Sequence, residues 1–387
     1  MEQSPMAEQT KHILQAALSA IPASIRRAVD YEILAKDFIA DDIWAYIQEG
    51  ADKPGQDQIN RQAFERWQWL PHRLQPIHQG SAESHLLGQL HAYPMLLAPI
   101  AYHGLVHPQG ELAMAQAAAA LQTGLVVSSL ASRRLEDIAE TFYATAAEMQ
   151  IEAAPLWFQL YWQADIEQNK QLIERAVKAG YQAIVWTVDA QYKRSEFQLP
   201  EGVTAVNLVS DSQEKYTSHV LDKHIVFQSS LAQQETDWAT LDWIKQQTSL
   251  PVIVKGLLAP IDVLTAQQKG ADAVVISNHG SRVLVDAVSP LSVLPDIKKA
   301  LGNDAMPLIV DSGIRSGNDI AKALALGADA VLLGRPQLYA LAVAGSLGVA
   351  HLIHLYRAEL EMTMAQLGCD SVAALSPDYL WDVLRSR

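Results

Sequence analysis

The most regular feature of the chain is an amphipathic stretch that ends at a glycine and is followed almost at once by a short apolar run. Three segments show it: KAGYQAIVWTVD at 178–189, QKGADAVVISNHG at 268–280 and ALGADAVLLGRP at 325–336. Gly180, Gly270 and Gly327 stand where a helix would stop, and the β-branched run after each reads as a strand buried on both faces. The stretch before the first carries Leu172, Ile173, Ala176 and Val177 at helical spacing, with Asp165 placed to cap its first turn. Further apolar runs at 95–98, 125–128, 157–161, 252–255 and 307–311 join 183–187, 273–277 and 330–333 as candidate strands. Eight strands alternating with helices predict an α/β chain folded as a (β/α)8 barrel. An open doubly wound sheet would carry GxGxxG after an early strand, and none is present.

Two segments fall outside the repeat. Residues 1–90 are expected to form helical decoration over the N-terminal face of the barrel, beginning with a short amphipathic helix through Ile13, Leu14, Ala17 and Leu18. Residues 190–250 are too long for an ordinary strand-to-helix connection and are expected to form a lid loop after strand four. Residues 1–387 then make one domain, with no apolar run approaching the ~20 residues that span a bilayer.

Composition narrows the functions available. Forty-three acidic against 29 basic residues leave a net charge of −14, which opposes sequence-independent binding to nucleic acid or anionic membrane and requires a local basic site for any anionic ligand. The single cysteine, Cys369, rules out a disulfide framework and a multi-cysteine metal site, and with the polar N-terminus it suits the cytoplasm.

In a (β/α)8 barrel the reactive groups sit at the C-terminal ends of the strands. Here those ends carry Pro99-Ile100-Ala101, Ser128, Gln159 with Tyr161, Thr187 with Asp189, Lys255, Ser277-Asn278-His279-Gly280-Ser281-Arg282, Asp311-Ser312-Gly313-Ile314-Arg315 and Gly334-Arg335. On the last two strands, glycine turns with Arg315 and Arg335 precede helix N-termini, an arrangement suited to a phosphate monoester. His279 ends a buried strand where Asp189 could hold its second nitrogen, as proton abstraction requires, and Arg282 offers a fork for a carboxylate. Lys255, among apolar neighbours, needs an anionic partner. It could form a Schiff base or face a cofactor that becomes anionic.

These residues resemble the FMN-dependent L-2-hydroxy-acid oxidase and dehydrogenase family, which includes glycolate and lactate oxidases. The matching stretches are LLAPIAYHGLVHPQGELAMAQAA, SSLASRRLEDIA, WFQLYWQAD, AGYQAIVWTVD, LPVIVKGL, SNHGSR, VDSGIRSGNDIAKALALGADAVLLGRP and ELEMTMAQLGC. The resemblance implies bound FMN and oxidation of a small, lactate-like L-2-hydroxy acid. The flavin ring would lie on Pro99, Ile100 and Ala101, with Ser128, Gln159, Thr187 and Ser277 around it and Lys255 facing N1 and the C2 carbonyl. The phosphate would take Ser312, Gly313, Arg315, Gly334 and Arg335, with Asp311 at the ribityl chain. It also implies a substrate carboxylate between Arg194 and Arg282, a hydroxyl near His279 and Tyr161, Tyr46 as a further contact, and Asp189 behind the histidine.

Within that family, Ala101 is what the simple oxidases carry, which implies reoxidation by O2 to give H2O2; a quinone-linked lactate or mandelate dehydrogenase is the alternative. A homotetramer is also implied. Family members commonly have glycine where this chain has Ser281 and Ser312. The loop after Asp189, AQYKRSEFQLPEG, lacks the usual Thr-Pro and glycine and is one residue short. A phosphate-binding barrel isomerase or an aldolase using Lys255 would leave Arg282, Arg194 and Tyr46 without a purpose.

Overall fold

Strand alternation accounts for both the barrel and the position of the site. The computed structural model describes residues 14–51, 55–77, 79–191, 197–208, 236–302 and 305–384. Three short strands come first: β1 (Trp67–Trp69), β2 (Ser84–Leu86) and β3 (Gln89–His91). The barrel strands are β4 (Met95–Leu97), β5 (Gly124–Ser128), β6 (Leu156–Tyr161), β7 (Ile184–Thr187), β8 (Val252–Leu257), β9 (Ala273–Ile276), β10 (Leu308–Val310) and β11 (Ala330–Leu333), and β12 (Leu380–Asp382) lies near the C-terminus. Strands β4 to β11 pair in parallel in chain order and close between β11 and β4. This is the (β/α)8 barrel that the repeat predicts, with every one of the eight predicted strands in place.

Side chains alternate across each strand. One set, including Leu96, Val126, Trp157, Val185, Ile253, Val275, Ile309 and Leu332, fills the barrel interior. Full burial of an apolar side chain of this size contributes about 1.5–3 kcal/mol. Two residues further along each strand, the inward positions become Ala98, Ser128, Gln159, Thr187, Lys255, Ser277, Asp311 and Gly334. The polar members of this layer are buried. The next inward step past the strand ends gives Ile100, Leu130, Tyr161, Asp189, His279 and Gly313. The active layer is thus a continuation of the core by the same period of two.

Helices between the strands bury the barrel's outer face. Helix Ile166–Lys178 begins at Asp165, whose carboxylate accepts from the Glu167 N–H at 3.0 Å. It ends before Gly180 at φ 89°, as helices Pro260–Gln268 and Gly317–Ala325 end before Gly270 (φ 81°) and Gly327 (φ 108°). Helix Pro336–Leu367, long and apolar enough to cross a membrane by length and composition, exceeds the expectation of no such run, but 67% of its most apolar window is buried. It packs on helices Asp30–Ala35, Glu111–Ala120 and Gly317–Ala325, and kinks at Ala344 and Gly345.

The first ninety residues differ from expectation. Residues 14–29 form no helix through Leu14, Ala17 and Leu18, and instead Leu18 donates its N–H to the Val343 carbonyl at 2.8 Å. Helices Asp41–Gln48 and Gln58–Glu65 lie at the C-terminal mouth, where Ala51 N–H meets the Ser281 carbonyl and Asn60 meets Asn278. The opposite end is closed by the β2–β3 hairpin, with Leu86 packed into the barrel interior and Leu87 partly buried against it. Strand β1 pairs antiparallel with β12, and Arg66 holds Asp382 at 2.7 and 2.9 Å. Of the 190–250 segment expected as a lid loop, residues 192–196 and 209–235 lie outside the described residues, and its last part is not loop but the helix Trp238–Gln247, which leads into β8.

Candidate active site

At the C-terminal mouth lies a cleft of about 1270 Å³ of empty space, its open side included, lined from β4, β5, β6, β8, β10 and β11 and by the loop after β9. Pro99, Ile100, Ala101, Ser128, Tyr161, Lys255, His279, Arg282, Asp311, Ser312, Gly313, Arg315, Gly334 and Arg335 all reach it, as does Tyr46 from the N-terminal segment. Gln159, Thr187, Ser277 and Asp189 stand behind this lining. Arg194 lies outside the described residues.

The loop after β9 takes a strained path. His279 (φ 57°) and Ser281 (φ 63°) occupy left-handed conformations that cost non-glycine residues free energy. The Asn60 amide donates to the Ser281 hydroxyl at 2.8 Å, and the Ser277 hydroxyl accepts the His279 N–H at 3.0 Å. His279 Nδ1 lies 3.0 Å from Asp189 Oδ1, and its Nε2 lies 3.2 Å from the Tyr161 hydroxyl. Burial pushes Asp189 up, but His279 and Lys255 overcome it and hold the carboxylate below its ordinary range. An ionised Asp189 favours a proton on Nδ1, so whenever the imidazole is neutral its Nε2 presents the lone pair toward Tyr161 and the cleft.

Asp189 comes this close because β8 bulges at Gly256. A Cβ there would stand 2.6 Å from the Asp189 side chain.

Lys255 is buried, 3.3 Å from Asp311 Oδ2 and 2.9 Å from the Ser277 hydroxyl. Burial alone would lower its affinity for the proton, yet Asp311 and Asp189 raise it above the ordinary value, so it remains an ammonium. A Schiff-base role, which needs a depressed lysine, is disfavoured. The Ser312 hydroxyl donates to Asp311 at 2.7 Å and accepts the Gly280 N–H at 3.0 Å, although φ at Ser312 is 75°.

The two phosphate-site arginines prove unequal. Arg315 is committed to Glu32 at 3.2 Å. Among the described residues, Arg335 donates only to the carbonyls of Ile47 (2.9 Å) and Gly280 (3.0 Å). No carboxylate among the described residues pairs with it, and burial, Arg282 and Arg315 push it down to about 10. A buried cation in this state lacks an anion. Beside it, a Cβ on Gly334 would meet nothing within 4 Å, which leaves the backbone open to close approach. Deeper in the barrel, Gln159 Nε2 and Thr187 Oγ1 are buried without hydrogen-bond partners among the described residues. A phosphate beside Arg335 and a polar heterocycle edge near Gln159, Thr187 and Lys255 would satisfy these groups, so the residues present fit FMN.

Sequence reasoning missed the Asn60 contacts to the loop after β9 and three further features. Ile47 offers one carbonyl to both Arg282 (2.9 Å) and Arg335; Arg61 holds the Gly313 carbonyl at 2.9 Å; and Gly256 makes room for Asp189. Only the last had a signal, a glycine interrupting a strand.

A closed barrel with an anion site on its last two strands and a carboxylate-backed histidine at its mouth is the architecture of a cofactor-dependent barrel enzyme. The chain matches the model of the FMN-dependent dehydrogenases over residues 35–382, and it belongs to that family as an FMN-dependent oxidoreductase. It is 39% identical to an L-lactate oxidase of Alicycliphilus denitrificans, covering 93% of this chain and 97% of the relative. It is 37% identical to a 4-hydroxymandelate oxidase of Amycolatopsis orientalis, covering 89% and 95%. Among solved structures, mandelate oxidase with (S)-4-hydroxymandelic acid superposes with a TM-score of 0.80 at 34% identity, over 92% of this chain and 98% of that one. A mandelate oxidase mutant with a C4a-OH-FMN adduct gives 0.78 at 35%, over 91% and 98%.

Proposed function

We propose that the protein oxidises a short L-2-hydroxy acid, L-lactate foremost, to the 2-keto acid. The observation that carries this reading is the Asp189-backed imidazole of His279 facing the same cleft as the guanidinium of Arg282. When bound, FMN supplies the two-electron acceptor. Arg282 and Tyr46 take the substrate carboxylate, with Arg194 assigned to its other side from the sequence. The hydroxyl lies between Tyr161 and His279, and Nε2 takes the substrate proton in either order of bond breaking. Asp189 stabilises the imidazolium that results. Lys255, kept cationic by Asp311 and Asp189, supplies positive charge where negative charge gathers on reduction.

The FMN phosphate would be held by Arg335 with Gly334, Gly313, Ser312 and Arg315. The likeness to L-lactate oxidases and the alanine at Ala101 support O2 as acceptor, giving H2O2. A homotetramer in the cytoplasm is part of the same reading. An aromatic acid is the second reading, supported by the apolar wall of Leu105, Val106 and Leu130 and by the similarity to mandelate oxidase.

Mixing the FMN-loaded protein anaerobically with L-lactate, glycolate and L-mandelate tests both readings. L-lactate should bleach the flavin fastest, His279→Ala should abolish bleaching with flavin still bound, and admitted air should restore the colour with peroxide. Faster bleaching by mandelate would favour the aromatic reading, and bleaching by none would overturn the substrate class.

A further inference from the structure

Arg282 has three neighbours with different roles. Nη1 donates to the Ile47 carbonyl at 2.9 Å, and the guanidinium lies 5.0 Å from the centre of the Tyr46 ring. Nη2 stands 3.4 Å from Oε2 of Glu49, a carboxylate still 27% exposed. The first two contacts set where the guanidinium sits. The third is long and partly solvated, so it adds charge more than geometry.

The charge balance around the cleft makes that difference matter. Arg315 is paired with Glu32 at 3.2 Å, Arg335 awaits the phosphate, and Arg282 already has Glu49. With FMN in place, each of these three guanidinium groups among the described residues would have an anion. The substrate carboxylate then arrives at an Arg282 that already carries a counter-charge. Glu49 is absent from the cleft lining and reaches it through Arg282.

We propose that Glu49 is a built-in counter-carboxylate on Arg282 that weakens binding of the substrate's carboxylate, raising KM for acids while leaving neutral analogues unaffected. This rests on the assignment of Arg282 to the substrate carboxylate. It makes Glu49 a positioning residue whose signature is a split between KM and kcat and between acid and amide. Like charges sharing one partner disfavour each other, and for a partly exposed pair the effect should be about 3–10-fold in affinity.

The test uses FMN-loaded enzyme titrated with propionate and with propionamide, a carboxylate and its neutral counterpart that cannot be oxidised, read by perturbation of the flavin spectrum. KM and kcat for L-lactate are measured alongside. Glu49→Gln, nearly isosteric, should tighten propionate and lower KM about 3–10-fold, with kcat within about twofold and propionamide unchanged. Glu49→Asp, which keeps the charge, should stay near the parent enzyme. The gain should vanish when Glu49→Gln is made on Arg282→Met, because the effect passes through the charge of that guanidinium. Propionate binding that is unchanged or weaker in Glu49→Gln overturns the proposal, as does an equal gain for propionamide. If Arg282→Met alone leaves propionate binding untouched, the assignment of Arg282 fails first, and that result is separable from any effect of Glu49.

Discussion

Asp189 meets His279 through one oxygen, while Oδ2 is buried without a hydrogen-bond partner among the described residues. Burial opposes its charge, so ionisation depends on His279 and Lys255, which together bring its pKa below the ordinary value. A depressed folded pKa means that the unfolded chain takes up this proton first as the solution is acidified. The stabilisation is therefore present above the unfolded value of about 3.9 and is lost as pH falls through the lower folded one. Asp189→Asn should lower Tm at pH 7, and its deficit should shrink toward pH 3. The variant should also lose about 10²–10⁴-fold in kcat, because the imidazolium loses its counter-charge and Nδ1 its fixed proton. A Tm deficit that stays constant across that range would show that the carboxylate's charge does not matter to the fold. At this scale much was legible in advance: His279, Asp189, Tyr161 and Lys255 all follow from stepping two residues at a time past strands readable as apolar runs. The Ile47 carbonyl was not legible, since a backbone acceptor leaves no mark in residue type. Asn60 was hidden too, because on a short polar helix it resembles any solvated amide.

The elements divide in the same way. The barrel strands were readable because burial on both faces produces continuous apolar runs, and their helices because glycine stops them. The β2–β3 hairpin was not. Its turn residues, Leu87 (φ 52°) and Gly88 (φ 75°), are both left-handed. Such a turn ordinarily announces itself with Asn-Gly or Asp-Gly, and a leucine in its first place gives no local signal. Tertiary packing supplies the reason instead, since Leu87 lies against the apolar cluster that Leu86 completes at the barrel's base. Leu86 is 1% exposed, so Leu86→Ala should open a cavity under Leu96 and Trp157 and cost about 2–5 kcal/mol. Urea denaturation would show this as a lower midpoint with an unchanged slope, while kcat of the folded fraction stays near that of the parent because the site lies at the opposite end. A cost below about 0.5 kcal/mol, the range of ordinary surface changes, would mean that the hairpin covers the barrel without plugging it.

Over the whole molecule, the mouth is left electrostatically incomplete by the protein alone. Arg335 is buried with two carbonyls and no carboxylate among the described residues, and its neighbours Arg282 and Arg315 repel it. Removing such a charge need not destabilise a fold, since burying it unpaired is itself unfavourable. FMN should therefore act as a structural component as well as a cofactor, bridging strand ends from β4 round to β11. At a thousandfold excess over Kd, a ligand that binds only the folded state contributes about 4.1 kcal/mol. For a chain of this size that corresponds to a rise in Tm of roughly 5–10 °C over the apoprotein. Arg335→Met should separate the two roles. Its FMN affinity should fall about 10–150-fold, the worth of a charge-assisted hydrogen bond of about 1.5–3 kcal/mol, while its apoprotein should melt at or above the parent apoprotein. Scanning calorimetry with and without FMN, paired with flavin fluorescence titration, measures both. If the Arg335→Met apoprotein melts well below the parent, the arginine is part of the scaffold and the anion site must be sought elsewhere. If the apoprotein holds and only the cofactor's contribution shrinks, the last two strands are kept cationic to bind phosphate at the expense of the empty barrel's own stability.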